Sequence, residues 1–262
     1  NREIYYRATA KTYVLDLSIG LESNGNLLDS RAIISNILEQ EHRINLAAIA
    51  AKLLDQSLKL KAGERLLIVS GKFNFPLVEK LKLEAGRRGI HSLLIYQDLE
   101  TLQARNQQYS LSAFKADYEE FNRHLKTADV YLNLNGEARY AELRDPEKLL
   151  IRNRMLEKSK QIIQQRGIRV AMMPGLLQHT LSDKAIEREL QFWQALDIDY
   201  QRLCKHTQEK CKQLMNKETV NLASGDSSLR FGIEKLVAEC GSFGAGEFQS
   251  PVINLPGGEI LI

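Results

Sequence analysis

The residues of this chain best arranged for chemistry lie near its carboxyl end, in the run Ser250-Pro251-Val252-Ile253-Asn254-Leu255-Pro256-Gly257-Gly258-Glu259-Ile260. Pro256 fixes one φ angle, and two successive glycines let the backbone turn tightly. The turn delivers Glu259 to the start of an apolar strand. A carboxylate held at a rigid bend suits ligation of a divalent cation. The plainer reading is a turn followed by an edge-strand acid, and the pattern by itself leaves both open.

The other candidates are weaker. Cys204, His206 and Cys211 invite a metal reading, but Cys204 and Cys211 stand seven apart on a predicted helix, on its apolar stripe. Zinc sites favour closer cysteine pairs, usually at a turn, whereas a free cysteine packs well as a small apolar residue. None of the five histidines, His42, His91, His124, His179 and His206, forms a helical His-Glu-x-x-His pair. His179 follows Pro174-Gly175 at the carboxyl end of a predicted strand, the edge where open α/β sheets bind ligands. Ser70 and Ser182 lack a nucleophile-elbow motif or an identifiable base. The loop Ser70-Gly71-Lys72-Phe73-Asn74-Phe75-Pro76 has neither the dinucleotide fingerprint nor a phosphate-cradling Gly-Lys-Ser/Thr ending, which argues against nucleotide binding.

The elements that must carry these residues read most clearly from Asn45 onward. Asn45 can cap a helix bearing Leu46, Ile49, Ala50, Leu53, Leu54 and Leu58 at helical spacing. Leu66 to Val69 is a continuous apolar run, as in a strand covered on both faces. Pro76 suits the first turn of a helix that Gly89 stops. Strands follow at Ile90–Tyr96, Val130–Leu134 and Ile168–Met172, with a helix around Phe114 and Leu125 and another opened by Asp145-Pro146 and closed by Gly167. The alternation predicts an α/β fold with a doubly wound, mostly parallel sheet and right-handed crossovers. Two helices come next, one capped by Ser182 and carrying Trp193, the other carrying Tyr200, Cys204 and Cys211. After Asn216 the period falls to about two, and Val220, Leu222, Leu229 and Phe231 predict an antiparallel hairpin. The expected organisation is an N-terminal hairpin or extension over 1–44, an α/β domain over 45–216, and over 217–262 the start of a smaller β-rich metal-binding domain. Within 1–44, Ile4 to Ser18 reads as one strand, followed by a turn over 22–26 and a returning strand from Leu27.

Composition bounds the function. With 36 basic and 33 acidic residues the formal net charge is +3, too small an excess for a nucleic-acid footprint without a clustered basic face. No apolar run is long enough to span a bilayer, so no membrane partner is expected. Three cysteines are an odd number, unsuited to a disulfide framework, and the N-terminus has no signal-peptide pattern. Both point to a reducing, cytoplasmic setting.

The segment Asn254-Leu255-Pro256-Gly257-Gly258-Glu259-Ile260 resembles the Asn-x-Pro-x-Gly-Glu-Val motif of the aminopeptidase T/aminopeptidase S metallopeptidases. Leu222 to Phe231, with Gly225-Asp226 and Leu229, looks like the hairpin that precedes it there. Lys61-Ala62-Gly63-Glu64-Arg65-Leu66-Leu67-Ile68 and Asp145-Pro146-Glu147-Lys148 fit the same pattern. The resemblance runs over roughly residues 46–262 and implies a metal-dependent aminopeptidase acting on peptide N-termini. It implies Glu259 as the first ligand of a two-metal site holding zinc, cobalt, manganese or iron, a peptide or other small-molecule substrate, and a homodimer among the assemblies open to it. No general base can be named. The further ligands of that family lie downstream of its motif, and here three residues follow Glu259, so the sequence as it stands is expected to be incomplete and inactive. The family has ring-opening, iron-dependent dioxygenase relatives. That chemistry, or non-catalytic binding of a ligand or partner, is therefore an alternative on the same scaffold.

Overall fold

A computed structural model describes residues 4–8, 11–15, 44–71, 74–135, 141–173, 183–215, 217–224, 227–244 and 252–261. Its centre is a five-stranded sheet, all of whose pairings are parallel: β3 (Arg65–Ser70), β4 (His91–Tyr96), β5 (Val130–Leu134), β6 (Arg169–Met172) and β10 (Val252–Asn254), in spatial order β10-β6-β5-β3-β4. The expected parallel α/β sheet is present. Its fifth strand comes from the far end of the sequence, beyond two helices and the antiparallel hairpin of β7 (Thr219–Ser224) and β8 (Ser227–Gly232).

Helices cover both faces because successive strand residues point to opposite sides. Leu66, Ile68, Val130 and Leu132 pack on one face against Ile49 and Leu53 near the start, Leu77 and Leu81, and Trp193, Leu196 and Tyr200. Leu67 turns to the other face and meets Leu125 and Ile162. The first face is formed by α1 (Leu46–Lys52), α2 (Phe75–Arg87), α6 (Asp183–Leu196) and the start of α7 (Tyr200–Met215). The second is formed by α4 (Leu111–Leu125) and α5 (Pro146–Arg166).

The punctuation read from the sequence holds in detail. Asn45 Oδ1 accepts from Ala48 N at 2.9 Å to cap α1. Pro76 lies in the first turn of α2. Asp145 caps α5 by accepting from the N–H groups of Glu147 and Lys148, and Gly167 closes that helix with φ 64°.

Four expectations need correction. The stretch Ile4–Ser18 is not one strand, since β1 (Ile4–Ala8) pairs antiparallel with β2 (Lys11–Leu15). No Gly, Pro or Asn between them signalled a turn. The turn and second strand expected over 22–34 lie outside the described residues. The helix after Asn45 does not run uniformly to its end, because Leu53–Ser57 widen into a π-helical turn. A further helix, α3 (Leu99–Gln108), precedes α4. It buries Leu102 and Asn106 alone, too little for an apolar stripe, and is declared by its cap, Asp98 Oδ1 accepting from Thr101 N. Finally, Cys204 and Cys240 form a disulfide, and Cys211 is a buried free thiol. An odd cysteine count therefore accommodates one bridge, and the argument for a reducing compartment loses its premise. Among the described residues no helix is long and apolar enough to cross a membrane.

Arg169, at the start of β6, ties the amino edge of the sheet together. Its Nη1 donates to the carbonyls of Leu58 and Lys59, both at 2.9 Å, and its Nη2 to both oxygens of Glu64 at 2.7 Å. The guanidinium also lies 6.0 Å from the Phe243 ring centre. Exposed ion pairs contribute little, but this one satisfies two chain carbonyls as well. Arg169→Met is expected to lower stability by about 2 kcal/mol, a figure set by losing charge-assisted hydrogen bonds at a half-buried site. Thermal melts of the variant against the parent chain check it.

Candidate functional site

The turn around Pro256 leaves the carboxyl edge of the sheet. Asn254 closes β10 opposite Met172 of β6, and Leu255 N donates to Met172 O at 2.8 Å. Ile253 and Leu255 are buried, so alternate residues anchor the approach while Asn254 stays exposed. The Leu255–Pro256 peptide is cis. The chain then passes Gly257 and Gly258 and pairs again as β11 (Glu259–Leu261), antiparallel to β9 (Val237–Glu239), with Glu259 opposite Glu239. Glu259 is exposed at the first position of that strand.

The segment that runs from the end of β9 to Phe243 holds this turn against the body of the protein. Gly258 N donates to Glu239 O at 2.7 Å. Glu239 is buried, and its Oε1 accepts from Gly241 N at 3.2 Å. Gly241 sits at φ 68°, a conformation few other residues adopt without strain. Gly257 lies so close to it that a Cβ there would collide with Gly241 N and Cys240 C and stand 2.8 Å from Gly241 Cα. One residue further, Ser242 Oγ donates to Gln56 O at 2.6 Å and Phe243 N to Ser57 O at 3.0 Å. Those two carbonyls close the π-helical turn and, as the last of the helix, have no partner within it, so they are free to receive the loop. The Cys204–Cys240 disulfide fixes the same loop to α7, and Tyr200 N donates to Gln56 Oε1 at 3.2 Å. Burial pushes the Tyr200 phenol above its ordinary range, with the nearby charge of Asp197 adding to the effect, so it stays protonated and donates to Leu196 O.

Among the described residues, Cys204 reaches the frame of this turn, as the disulfide partner of Cys240, and the remaining sequence candidates have other surroundings. Ser70 is fully buried, and its hydroxyl donates to its neighbour's carbonyl, Gly71 O. His206 is exposed on α7, away from the buried face that carries Cys204 and Cys211. Burial pushes the Cys211 thiol up, which disfavours the thiolate a metal would need. His179 and Ser182 lie outside the described residues. His91 and His124 line a shallow hollow of about 120 Å³ with Arg65 and Leu93, at the amino ends of β3 and β4. That edge is opposite to the one the Pro256 turn leaves. Glu239, Cys240 and Gly241 went unread in the sequence, because their importance comes from cross-strand pairing and not from local pattern.

The described residues do not complete a metal centre. Among them no group of three or more His, Cys, Asp or Glu side chains could share an ion, whereas a catalytic divalent metal needs about three protein ligands. What the geometry supplies is one exposed carboxylate on a firmly held backbone.

No family model matches the chain, and no curated protein sequence matches it. Among solved structures, AmpT, an aminopeptidase T from Thermus thermophilus, aligns with a TM-score of 0.56 at 17% identity, over 82% of this chain and 60% of its own. The chain shares the fold of that aminopeptidase. 2,5-Dihydroxypyridine dioxygenase from Pseudomonas putida KT2440 aligns with a TM-score of 0.48 at 11% identity, over 82% of this chain and 54% of its own. The chain thus spans less than two thirds of the length of either protein. Identities this low speak to the fold and leave the reaction open.

Proposed function

We propose that this chain is a portion of a metal-dependent aminopeptidase, hydrolysing N-terminal residues from peptides, and that Glu259 serves as one of its metal ligands. The observation that carries the reading is the clamped turn Leu255–Gly258, which leaves the carboxyl edge of the α/β sheet and delivers Glu259 to the first position of β11. That edge is where such sheets bind ligands, and the fold shared with AmpT agrees with the assignment. Zinc, cobalt or manganese would find at Glu259 a hard oxygen donor on a rigid strand. The ligands that complete a centre belong to residues other than those described, so no catalytic step is assigned to the present side chains.

The test is to express the reading frame through and beyond Ile262 and assay amino-acid anilides with added zinc or cobalt. Release of the anilide, reduced at least about 100-fold in Glu259→Gln while folding is retained, is the expected outcome, in line with the large losses that follow disruption of a metal's ligands or their supports. A folded, metal-replete protein with no hydrolysis of any anilide or dipeptide would remove the peptidase assignment. Full activity in Glu259→Gln would remove the role given to that residue.

A further inference from the structure

On the face of the sheet covered by α4 and α5, the layer between α3, α4 and α5 holds three cations and, among the described residues, little to neutralise them. Lys148, in the first turn of α5, is 4% exposed. Its Nζ donates to one backbone carbonyl, Asn106 O, at 2.9 Å and lies 5.8 Å from the Phe114 ring centre. It has no carboxylate partner among the described residues. A buried lysine is rarely left in that state.

Arg152 is one helical turn further along α5, on the same side. It too has no ion pair among the described residues, and its buried Nε has no hydrogen-bond partner. Arg105 of α3 donates from Nη1 to Asp117 at 3.0 Å, while its buried Nε also lacks a partner. The Arg105 guanidinium is 5.7 Å from the Phe114 ring centre and 5.1 Å from that of Tyr118. Burial raises the Tyr118 phenol above its ordinary range, against the opposing positive field of Arg105 and Arg152. Those two cations therefore share one neighbourhood with the Phe114–Tyr118 pair.

Among the described residues, the carboxylates nearby are already engaged. Asp117 is taken by Arg105, and Asp145 accepts from the N–H groups of Glu147 and Lys148. What remains is a surplus of buried donors. Cation–π contacts offset part of the cost of burying the charges, but they give the Nε and Nζ hydrogens no acceptor.

We propose that Arg105, Lys148 and Arg152 form a binding site for a compact oxyanion of the phosphate class, separate from the Glu259 turn and independent of the peptidase reading. A phosphate oxygen accepts from a guanidinium Nε–H and from an ammonium alike, and two charged partners make the strong form of that bond. The same layer holds one buried acceptor without a partner, Asn106 Oδ1. A hydrogen phosphate carries a hydroxyl that can meet it, and a carboxylate does not. Asn106 Nδ2 meanwhile donates to the carbonyls of Ala141 and Glu142, so the site adjoins the residues just before α5.

The probes are inorganic phosphate and acetate, titrated into the 262-residue chain at constant ionic strength set with chloride. Calorimetry and phosphorus line broadening report binding, and thermal melts report linkage. Saturable one-to-one phosphate binding is expected, with acetate weaker. Arg152→Gln is expected to weaken phosphate at least roughly tenfold, the loss of one charge-assisted bond. Lys148→Met, which removes the ammonium and keeps the length, is expected to abolish binding without lowering the melting temperature in chloride. If Lys148→Met does not fold, Arg152→Gln, at a partly exposed position, decides the matter. Absence of saturable binding in the parent chain would overturn the proposal. So would phosphate affinity unchanged in both variants, which would place the ion elsewhere on the surface. Acetate binding as tightly as phosphate would overturn the phosphate class.

Discussion

Gly257→Ala is expected to unseat the turn that carries Glu259, at a cost of about 3 kcal/mol or more, the upper range of overpacking at a site that cannot relax. The reason is what the new methyl group meets. At Gly241, Gly244 and Gly258 the nearest obstacle is a side chain, and at Gly63, Gly86 and Gly167 nothing lies within 4 Å. At Gly257 the obstacles are Gly241 N, Cys240 C and Gly241 Cα, all main chain. That main chain is itself held by Glu239 Oε1, by the disulfide at Cys240 and by the bonds of Ser242 and Phe243 to the π-helical turn. Relief must therefore come from β11 moving off β9. Amide exchange should register this locally, with Gly258 and the β11 amides losing protection while β3 and β5 keep theirs. Gly86→Ala is the matched control. Gly86 lies within α2, and a Cβ there meets nothing within 4 Å. It should stabilise the protein by about 0.5–1 kcal/mol, the ordinary helix preference for alanine. Equal and small effects of the two substitutions would mean that the turn is not clamped.

How much of this was legible beforehand follows from what each feature depends on. The parallel sheet was readable because Leu66–Val69 and its counterparts are apolar runs bounded by Gly63, Gly89 and Gly167, which are local signals. All three adopt positive φ. The Pro256-Gly257-Gly258 bend was readable for the same reason. Its partner segment was not. Glu239-Cys240-Gly241 looks like an ordinary polar–small stretch, and its role emerges when β9 pairs with β11 and when the end of another helix presents Gln56 O and Ser57 O. The fifth strand, β10, was missed as part of the parallel sheet because three residues, Val252–Asn254, carry too short a pattern to say which neighbour they will choose. Lys148 was invisible as a buried charge, since on a helix rich in polar residues nothing in the spacing separates the one lysine turned inward from those turned out. Local chemistry is legible in sequence; pairings set by distant segments are decided by packing.

The disulfide puts that distinction to its sharpest test. Replacing Cys204 and Cys240 together with alanine is expected to cost about 4 kcal/mol, the chain-entropy value for releasing a loop closed across their separation of 36 residues. Alanine serves better than serine here, because both positions are buried and a hydroxyl would need a partner. The loss should not spread evenly. Cys240 joins the Gly241 clamp to α7, so the double variant should loosen the same β11 amides that Gly257→Ala loosens, leaving α4 and α5 unchanged. Because both changes release one structural unit, combining them should cost less than the sum of the two. Thiol titration in denaturant supplies the independent check. One thiol per chain, Cys211, is expected before reduction and three after it, and the one should resist labelling in the folded protein because it is buried. Three thiols before reduction would show that α7 and the Glu259 frame are held by packing alone. In that case the alanine pair would cost no more than the small cavities it leaves, and the reducing setting first suggested by three cysteines would stand again.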